Sequence, residues 1–305
     1  MAWLYFLQQC LNALQVSCFY ALLAVAYVLV HGIADRINLA FGAIAMWGAY
    51  LTIGGIAVVS SGFNFPLWAV GFGILFALVG TAALGYVFAR TIVVPLAASR
   101  SLAMLVATVG AAIVIEEVMR LAIHSRELLV RPILADTLVS FPFPGFAIRI
   151  SVIQALVVLA SLALAGGLAI FVRINRFGRA WRACSQDLRM VALLGINPRP
   201  ILVGTMVAGS CFAAASGVMI AIYYGSVSFY MGAILGLKAL YVAVLGGLNS
   251  IGGAIAGAFI LGFFESMWSG YFAIAYRDVA SFLALTFLLI MRPGGLFAAG
   301  YAEKV

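Results

Sequence analysis

Charge is scarce in this chain, with Asp, Glu, Lys and Arg together making up only 9% of its 305 residues. A soluble domain carries about 25% charged residues, so a water-facing surface all round is excluded. Soft metal ligands are as rare, with two histidines and four cysteines. Cys10, Cys18, Cys184 and Cys211 show no CxxC or zinc-ligand spacing, and they read as small apolar filler. His31 and His124 lie near expected helix ends, where a lone histidine serves as a polar anchor. No GxxxxGK[ST] phosphate loop, HExxH zinc site or GxSxG nucleophile elbow occurs, and no nucleophile, acid and base cluster in the sequence. An intramembrane enzyme is therefore disfavoured, and any ATP used must be hydrolysed by another subunit. No Lys or Arg precedes Arg36, so the start lacks the basic region of a cleavable signal peptide, and the first helix is expected to stay.

What is present is hydrophobicity, at 66% of residues and a mean hydropathy of +1.20. A membrane-spanning helix needs about 20 mostly apolar residues, and the runs here are continuous rather than alternating, which disfavours a β-barrel. Nine spans are expected, at about 11–30, 37–58, 66–89, 101–122, 151–172, 201–223, 232–248, 251–270 and 278–292. The predicted class is an all-α polytopic membrane protein of about 8–10 transmembrane helices, with 1–305 forming one domain. The formal charge of +8 is assigned to loops under the positive-inside rule rather than to nucleic acid.

Six of the seventeen Lys and Arg residues fall in one segment, RINRFGRAWRACSQDLRMVALLGINPR, residues 173–199. Placing it inside puts the regions around Arg36, Arg90 to Arg100, the 249–250 turn and the C-terminus inside too, and the N-terminus outside. Eleven cationic residues then lie inside and five outside.

Internal similarity is faint. FGAIAMWGAYL from Phe41 aligns with MGAILGLKALY from Met231 at an offset of 190, and the same offset carries the first span onto the sixth. Alternation makes the two copies antiparallel, so an inverted repeat is predicted. The glycine-rich stretch from Tyr230 to Phe259 admits two readings, half-helices along a polar path or tight packing of small residues.

Charges inside spans cost about 2.5–3.5 kcal/mol each at mid-membrane, and Glu116, Glu117, Lys238 and Glu265 are the candidates. Glu116 with Arg120, and Glu127 with Arg131, have the i,i+4 spacing of helical ion pairs. Lys238 and Glu265 either pair with each other, face a water-filled path or snorkel to an interface.

Drawn as one helix from Gly178 to Gly195, the basic segment puts Trp181, Cys184, Leu188 and Val191 on one face and Arg179, Arg182, Gln186 and Arg189 on the other. Such a stripe suits an interfacial helix lying on anionic lipid. Its tail VALLGINP, however, is apolar nearly all round. It stops at Gly195, a natural C-cap, and at Asn197-Pro198, so it also suits a short knob for a partner's groove.

GRAWRACSQDLRMVALLGIN resembles the cytoplasmic coupling loop of permease subunits in ATP-binding-cassette importers for branched-chain amino acids, the hydrophobic amino acid uptake family. INLAFGAIAMWGAYL resembles that family's second helix. GLKALYVAVLGGLNSIGGAIAGAFILGFFES and YRDVASFLALTFLLIMRPGGLF resemble its C-terminal third, as in the H-type subunits of Liv systems, down to the terminal EKV. The Glu-Ala-Ala signature of general importer permeases, six residues before the loop glycine, is Arg189, Met190 and Val191 here, so only the apolar run and Gly195 match.

The resemblance implies a type II importer-like fold in a bacterial cytoplasmic membrane. It implies a second permease subunit, two ATPase subunits and an external amino-acid-binding protein as partners. The chain would hold no cofactor, with ATP and Mg bound by the ATPases. Coupling is expected of Arg182, Asp187, Arg189, Leu193, Leu194, Gly195, Ile196 and Asn197. The path is expected to involve Asn38, Phe41, Gly42, Gly232, Lys238, Asn249, Ser250 and Glu265. Leucine, isoleucine and valine are the implied substrates. Urea or short amides, and an ion-coupled secondary transporter working through Lys238 or Glu265, are the alternatives.

Overall fold

The computed structural model describes residues 2–60, 67–97, 101–124, 128–129, 137–143, 146–248, 250–292 and 295. The first half contains α1 (Ala2–Ala34), α2 (Phe41–Val59), α3 (Leu67–Phe88) and α5 (Ser101–Ala122). A π-helical turn, Ala89–Val93, carries α3 directly into the three-residue α4 (Val94–Leu96). After β1 (Leu128–Leu129), the strands β2 (Thr137–Phe143) and β3 (Phe146–Ser151) lead to α6 (Val152–Ile174). The basic segment forms α7 (Arg176–Gln186) and α8 (Leu188–Leu193). The second half holds α9 (Pro198–Tyr224), β4 (Ser226–Val227), α10 (Met231–Gly246), α11 (Ile251–Tyr271) and α12 (Arg277–Met291).

Eight of these helices are long and apolar enough to cross a membrane, and α10, at 16 residues, is a shorter ninth. Each expected span has its helix. The first begins earlier than hydropathy implies, because Gln8 is held by the backbone of β3: its Nε2 donates to Arg149 O at 3.1 Å, and Arg149 N donates to its Oε1 at 3.0 Å. Nothing in the hydropathy pattern announced the β2–β3 hairpin, which pairs Phe143 with Phe146 across its tip.

Contacts between helix ends sort the chain onto two sides. The start of α1 meets β3 and, through Tyr5 OH donating to Gly270 O at 2.8 Å, the end of α11. The strands following α5 and α9 pair with each other, β1 with β4. At the opposite end of α1, Trp181 of α7 donates to Leu29 O. Successive helices therefore alternate in direction, with the start of α1 on the hairpin side and the end of α12 on the α7–α8 side.

The repeat is real and locally in register. Helices α1 and α9 end at Ala34 and Tyr224, and α2 and α10 start at Phe41 and Met231, both pairs 190 residues apart. The residues after α1 and α9, Asp35 (φ 48°) and Gly225 (φ 64°), are both left-handed. Asn38 Oδ1 then accepts from Ala40 N, and Ser228 Oγ accepts from Tyr230 N, again 190 residues apart. The N-cap residues match as well, Ala40 at φ −80°, ψ −9° and Tyr230 at φ −77°, ψ −15°. Packing obeys the same exchange: α1–α11 corresponds to α9–α3, α1–α10 to α9–α2, and α10–α11 to α2–α3, and all of these pairs occur. Because α1 and α9 run in opposite directions, the repeat is inverted.

The core lies around α1, α2 and α9, where Leu22 to Ala26, Ile44 to Met46 and Ala213 to Ala214 are sealed from the surface. On α3, α5, α6 and α12 the exposed residues are large and apolar, such as Leu75, Val106, Leu159 and Phe287, as lipid contact requires.

The basic segment is not the single helix expected. It breaks at Asp187, whose backbone is extended (φ −159°, ψ 109°). There Asp187 ends α7 and its Oδ1 accepts from Met190 N at 3.1 Å, capping α8. Helix α8 closes as expected at glycine: Gly195 N donates to Ala192 O and Ile196 N to Val191 O, the paired bonds of a Schellman motif, with Gly195 at φ +85°. Asn197 then caps α9 through Arg199 N at 3.0 Å, with Pro198 in its first turn.

Candidate functional site

Two helix N-termini approach each other inside the bundle from opposite sides. Leu39 N, just before α2, donates to Thr108 Oγ1 of α5 at 3.3 Å. Gly232, at the start of α10, lies beside Glu116 of α5, whose Oε1 is 3.1 Å from where a Cβ on that glycine would sit. Eight residues of α5 separate these levels, about 12 Å at 1.5 Å per residue. Between them α2 crosses α10. A Cβ on Gly42 would fall 2.6 Å from Gly236 Cα, so the backbones touch and only glycine fits. Gly42 and Gly232 are repeat equivalents and meet each other, which places this crossing on the pseudo-twofold axis.

Asn38 is buried, with its Nδ2 against Met206 Sδ at 3.5 Å. Phe41 is wholly buried, edge-on to Tyr27 at 5.2 Å between centroids, and Tyr27 OH donates to Gly236 O at 3.0 Å. Of the expected path residues, Asn38, Phe41, Gly42 and Gly232 thus share one neighbourhood. Tyr27, which completes it, lies in an apolar run of the sequence with nothing to set it apart.

Lys238 and Glu265 lie elsewhere and in contact with each other. Both are almost fully buried, and the Lys238 Nζ pairs with Glu265 Oε1. A second carboxylate, Asp278 Oδ1 of α12, is 2.7 Å from the same ammonium. Tyr20 OH donates to Glu265 Oε2 at 2.7 Å, and Arg277 Nε lies 3.2 Å from Asp278. Two cations and two anions compensate one another, and the cluster ties α1, α10, α11 and α12 together. Snorkelling to the interface is therefore not what Lys238 does. Asp278 gave no sequence signal as a partner, since it stands forty residues from Lys238 and reads as an ordinary first-turn acid of α12.

Arg120 pairs with Glu117, Nε to Oε2 at 2.8 Å, at the i,i+3 spacing, while Glu116 turns to α10. The Glu127–Arg131 pair and Asn249 lie outside the described residues. Ser250 is an N-cap, its Oγ accepting from Gly253 N at 3.1 Å at the start of α11.

In the basic segment the inward face is the one expected. Cys184 and Val191 are buried, and Trp181 and Leu188 pack on the core. Arg182 does not point away from the protein: its Nη1 donates to Val172 O at 2.6 Å, and Arg179 Nη1 donates to Ile174 O at 3.0 Å. Both guanidinium groups satisfy carbonyls at the end of α6, where the helix dipole favours cations. Arg189 has its backbone in α8. Among the described side chains of residues 190–196, at the end of α8 and its stop, the exposed ones are apolar: Leu193 is 82% and Leu194 75% exposed, flanked by Met190 and Ile196.

A polytopic bundle on an inverted repeat, with two helix N-termini meeting at its axis, is the architecture of a membrane permease. Residues 9–291 match the family described as branched-chain amino acid transport system / permease component. Over 303 residues the chain is 35% identical to the high-affinity branched-chain amino acid transport system permease protein LivH of Escherichia coli K12, covering 99% of this chain and 98% of that protein. The LivH of Salmonella typhimurium is similar to the same extent, and the permease protein BraD of Pseudomonas aeruginosa is 34% identical over equal coverage. No solved structure matches the chain. The chain belongs to this family of branched-chain amino acid transport permeases, and it is a transport subunit rather than an enzyme.

Proposed function

We propose that this chain is one transmembrane half of an ATP-driven importer in the bacterial cytoplasmic membrane, pairing with a second permease, two ATPase subunits and an external binding protein. ATP and Mg belong to the ATPases. The observation that carries the reading is the tip formed by α8 and its C-terminal stop, where the exposed residues among the described side chains of 190–196 are apolar and both helix ends are capped. An apolar tip is costly in water and belongs in a groove. The side that carries α7 and α8 faces the cytoplasm in this reading. Arg36, Arg90, Arg173, Arg176, Arg179, Arg182, Arg199 and Arg292 lie towards it by chain position, against Arg120, Arg149 and Arg277 on the other side.

The transported solutes are leucine, isoleucine and valine. This follows the branched-chain amino acid transport of the relatives LivH and BraD. The path runs past the crossing of α2 and α10, with Asn38, Phe41, Gly42 and Gly232 as its residues. The N-terminus of α2 favours a carboxylate and Glu116 an ammonium, the two charged groups of an amino acid. The Lys238–Glu265 pair is a fixed tie beside that path. Its charges are already matched, which weighs against an ion-coupled mechanism.

Gly195→Trp tests the docking surface. Nothing lies within 4 Å of a side chain added at Gly195, but its left-handed backbone (φ +85°) strains any side chain, so Trp both projects an indole from the knob and disturbs the stop that shapes it. The expected outcome is an assembled bundle with uptake abolished, and undiminished uptake would remove the docking assignment. Competition of radiolabelled leucine uptake by a panel of amino acids, urea and acetamide tests the substrate. Displacement by urea and not by valine would overturn it.

A further inference from the structure

One aromatic side chain of the α7–α8 segment turns away from the exposed tip and into the bundle. We infer that Trp181 is a positioning residue that links the docking segment to α1, and through the end of α1 to the crossing of α2 with α10. The inference rests on the docking reading above.

The indole sits where three helices end. Its Nε1–H donates to Leu29 O at 3.2 Å, and its ring covers Gly32, where a Cβ would lie 3.1 Å from Cζ2. It packs on the cluster of Val25, Leu29 and Leu168, which Ile255 of α11 also joins. The rest of α7 is held to different helices. Arg182 donates to Val172 O of α6, and the Phe177 ring covers Gly204 of α9, where a Cβ would lie 2.8 Å from Cε2. Only the indole hydrogen bond joins α7 to the backbone of α1 among the bonds of the described residues.

Gly32 stands three residues before the left-handed Asp35 that ends α1, and only residues 35–40 separate α1 from α2. That link is itself pinned, by Asn38 to Ala40 N and by Leu39 N to Thr108. Close-packed interiors have discrete arrangements rather than continuous give. A shift of α7 against Gly32 is therefore delivered to Phe41 and Gly42, at the crossing, instead of being absorbed in a loop. Such a route has physical content when both ends bias one two-state element.

The test uses the intact importer, with its ATPases and binding protein, in proteoliposomes. Trp181→Ala removes the wedge, Trp181→Phe keeps a ring and loses the N–H, and Gly32→Val pushes the indole from the α1 side. In complexes that retain the ATPase and its basal hydrolysis, leucine uptake per ATP hydrolysed is expected to fall roughly tenfold for Trp181→Ala and Gly32→Val, within the usual range of site-to-site coupling. Trp181→Phe should fall between these and wild type. With 5-fluorotryptophan incorporated, the ¹⁹F resonance that disappears in Trp181→Phe should move between nucleotide-free and vanadate-trapped complexes. Wild-type uptake per ATP by Trp181→Ala, or a resonance that stays in place on trapping, overturns the inference. Leu193→Asp separates the two readings, because Leu193 is on the exposed tip. A Leu193→Asp complex that keeps its ATPase contradicts docking, whatever the Trp181 variants do.

Discussion

At Lys238 the sequence posed a choice among pairing, a water-filled path and snorkelling, and in the fold the ammonium is buried and paired. A lone ammonium in hydrocarbon is costly, and this one has Glu265 and Asp278 as counter-charges. Removing one partner of a buried pair exposes the other's desolvation cost, so Lys238→Met is expected to destabilise the folded protein by about 3–5 kcal/mol. Adding Glu265→Gln should recover much of that loss, because half-exposed Asp278 can be hydrated while Glu265 cannot. Thermal unfolding in detergent of the two single variants and the double variant measures the coupling; strictly additive losses would mean that the pair is not a unit. Glycine is decisive at the crossing for a different reason. Gly42→Ala places a methyl 2.6 Å from Gly236 Cα and should cost about 1–3 kcal/mol as overpacking, with loss of uptake. Gly54→Ala, on the same helix with nothing within 4 Å, should be neutral or stabilising by up to about 1 kcal/mol from helix propensity. Equal behaviour of the two in a melting series would contradict the crossing.

Among elements, helix positions were legible and connections were not. Long apolar runs specify spans because the bilayer sets their length, and that is why α1 to α3, α5, α6 and α9 to α12 stand where hydropathy put them. The β2–β3 hairpin has no such length rule. The break at Asp187 was written in the sequence as an aspartate three residues ahead of Met190. The amphipathic pattern runs across it, however, and so masks the end of one helix and the start of the next. Gly195 and Asn197 were legible as a stop, since their roles are local. Arg182 was misread as outward-facing, because its bond to Val172 O depends on how α7 folds back on α6. Asp187→Ala should cost about 1 kcal/mol, confined to α8. Hydrogen exchange is the direct check: faster exchange of amides 190–194 with α7 unchanged supports the cap, and unaltered exchange there refutes it.

On the scale of the whole molecule, the inverted repeat accounts for features that look unrelated residue by residue. Asp35 and Gly225 share a left-handed turn, Asn38 and Ser228 share a cap, and Gly42 meets Gly232, because each pair is one position seen twice. Sequence alone showed this as a shared Gly-Ala-Ile. Little else survives at the level of identity, since the constraint is on backbone shape and small size rather than on residue type. A repeat of this kind presents the same crossing to both sides of the membrane, as alternating access requires. The energy source is then the whole-molecule question. The most direct measurement is radiolabelled leucine uptake into proteoliposomes holding either this chain alone or the complete complex with its second permease, ATPases and binding protein. No uptake by the chain alone is expected under any ion gradient, and ATP-dependent, valine-competed uptake is expected of the complex. Gradient-driven uptake by the chain alone would contradict it.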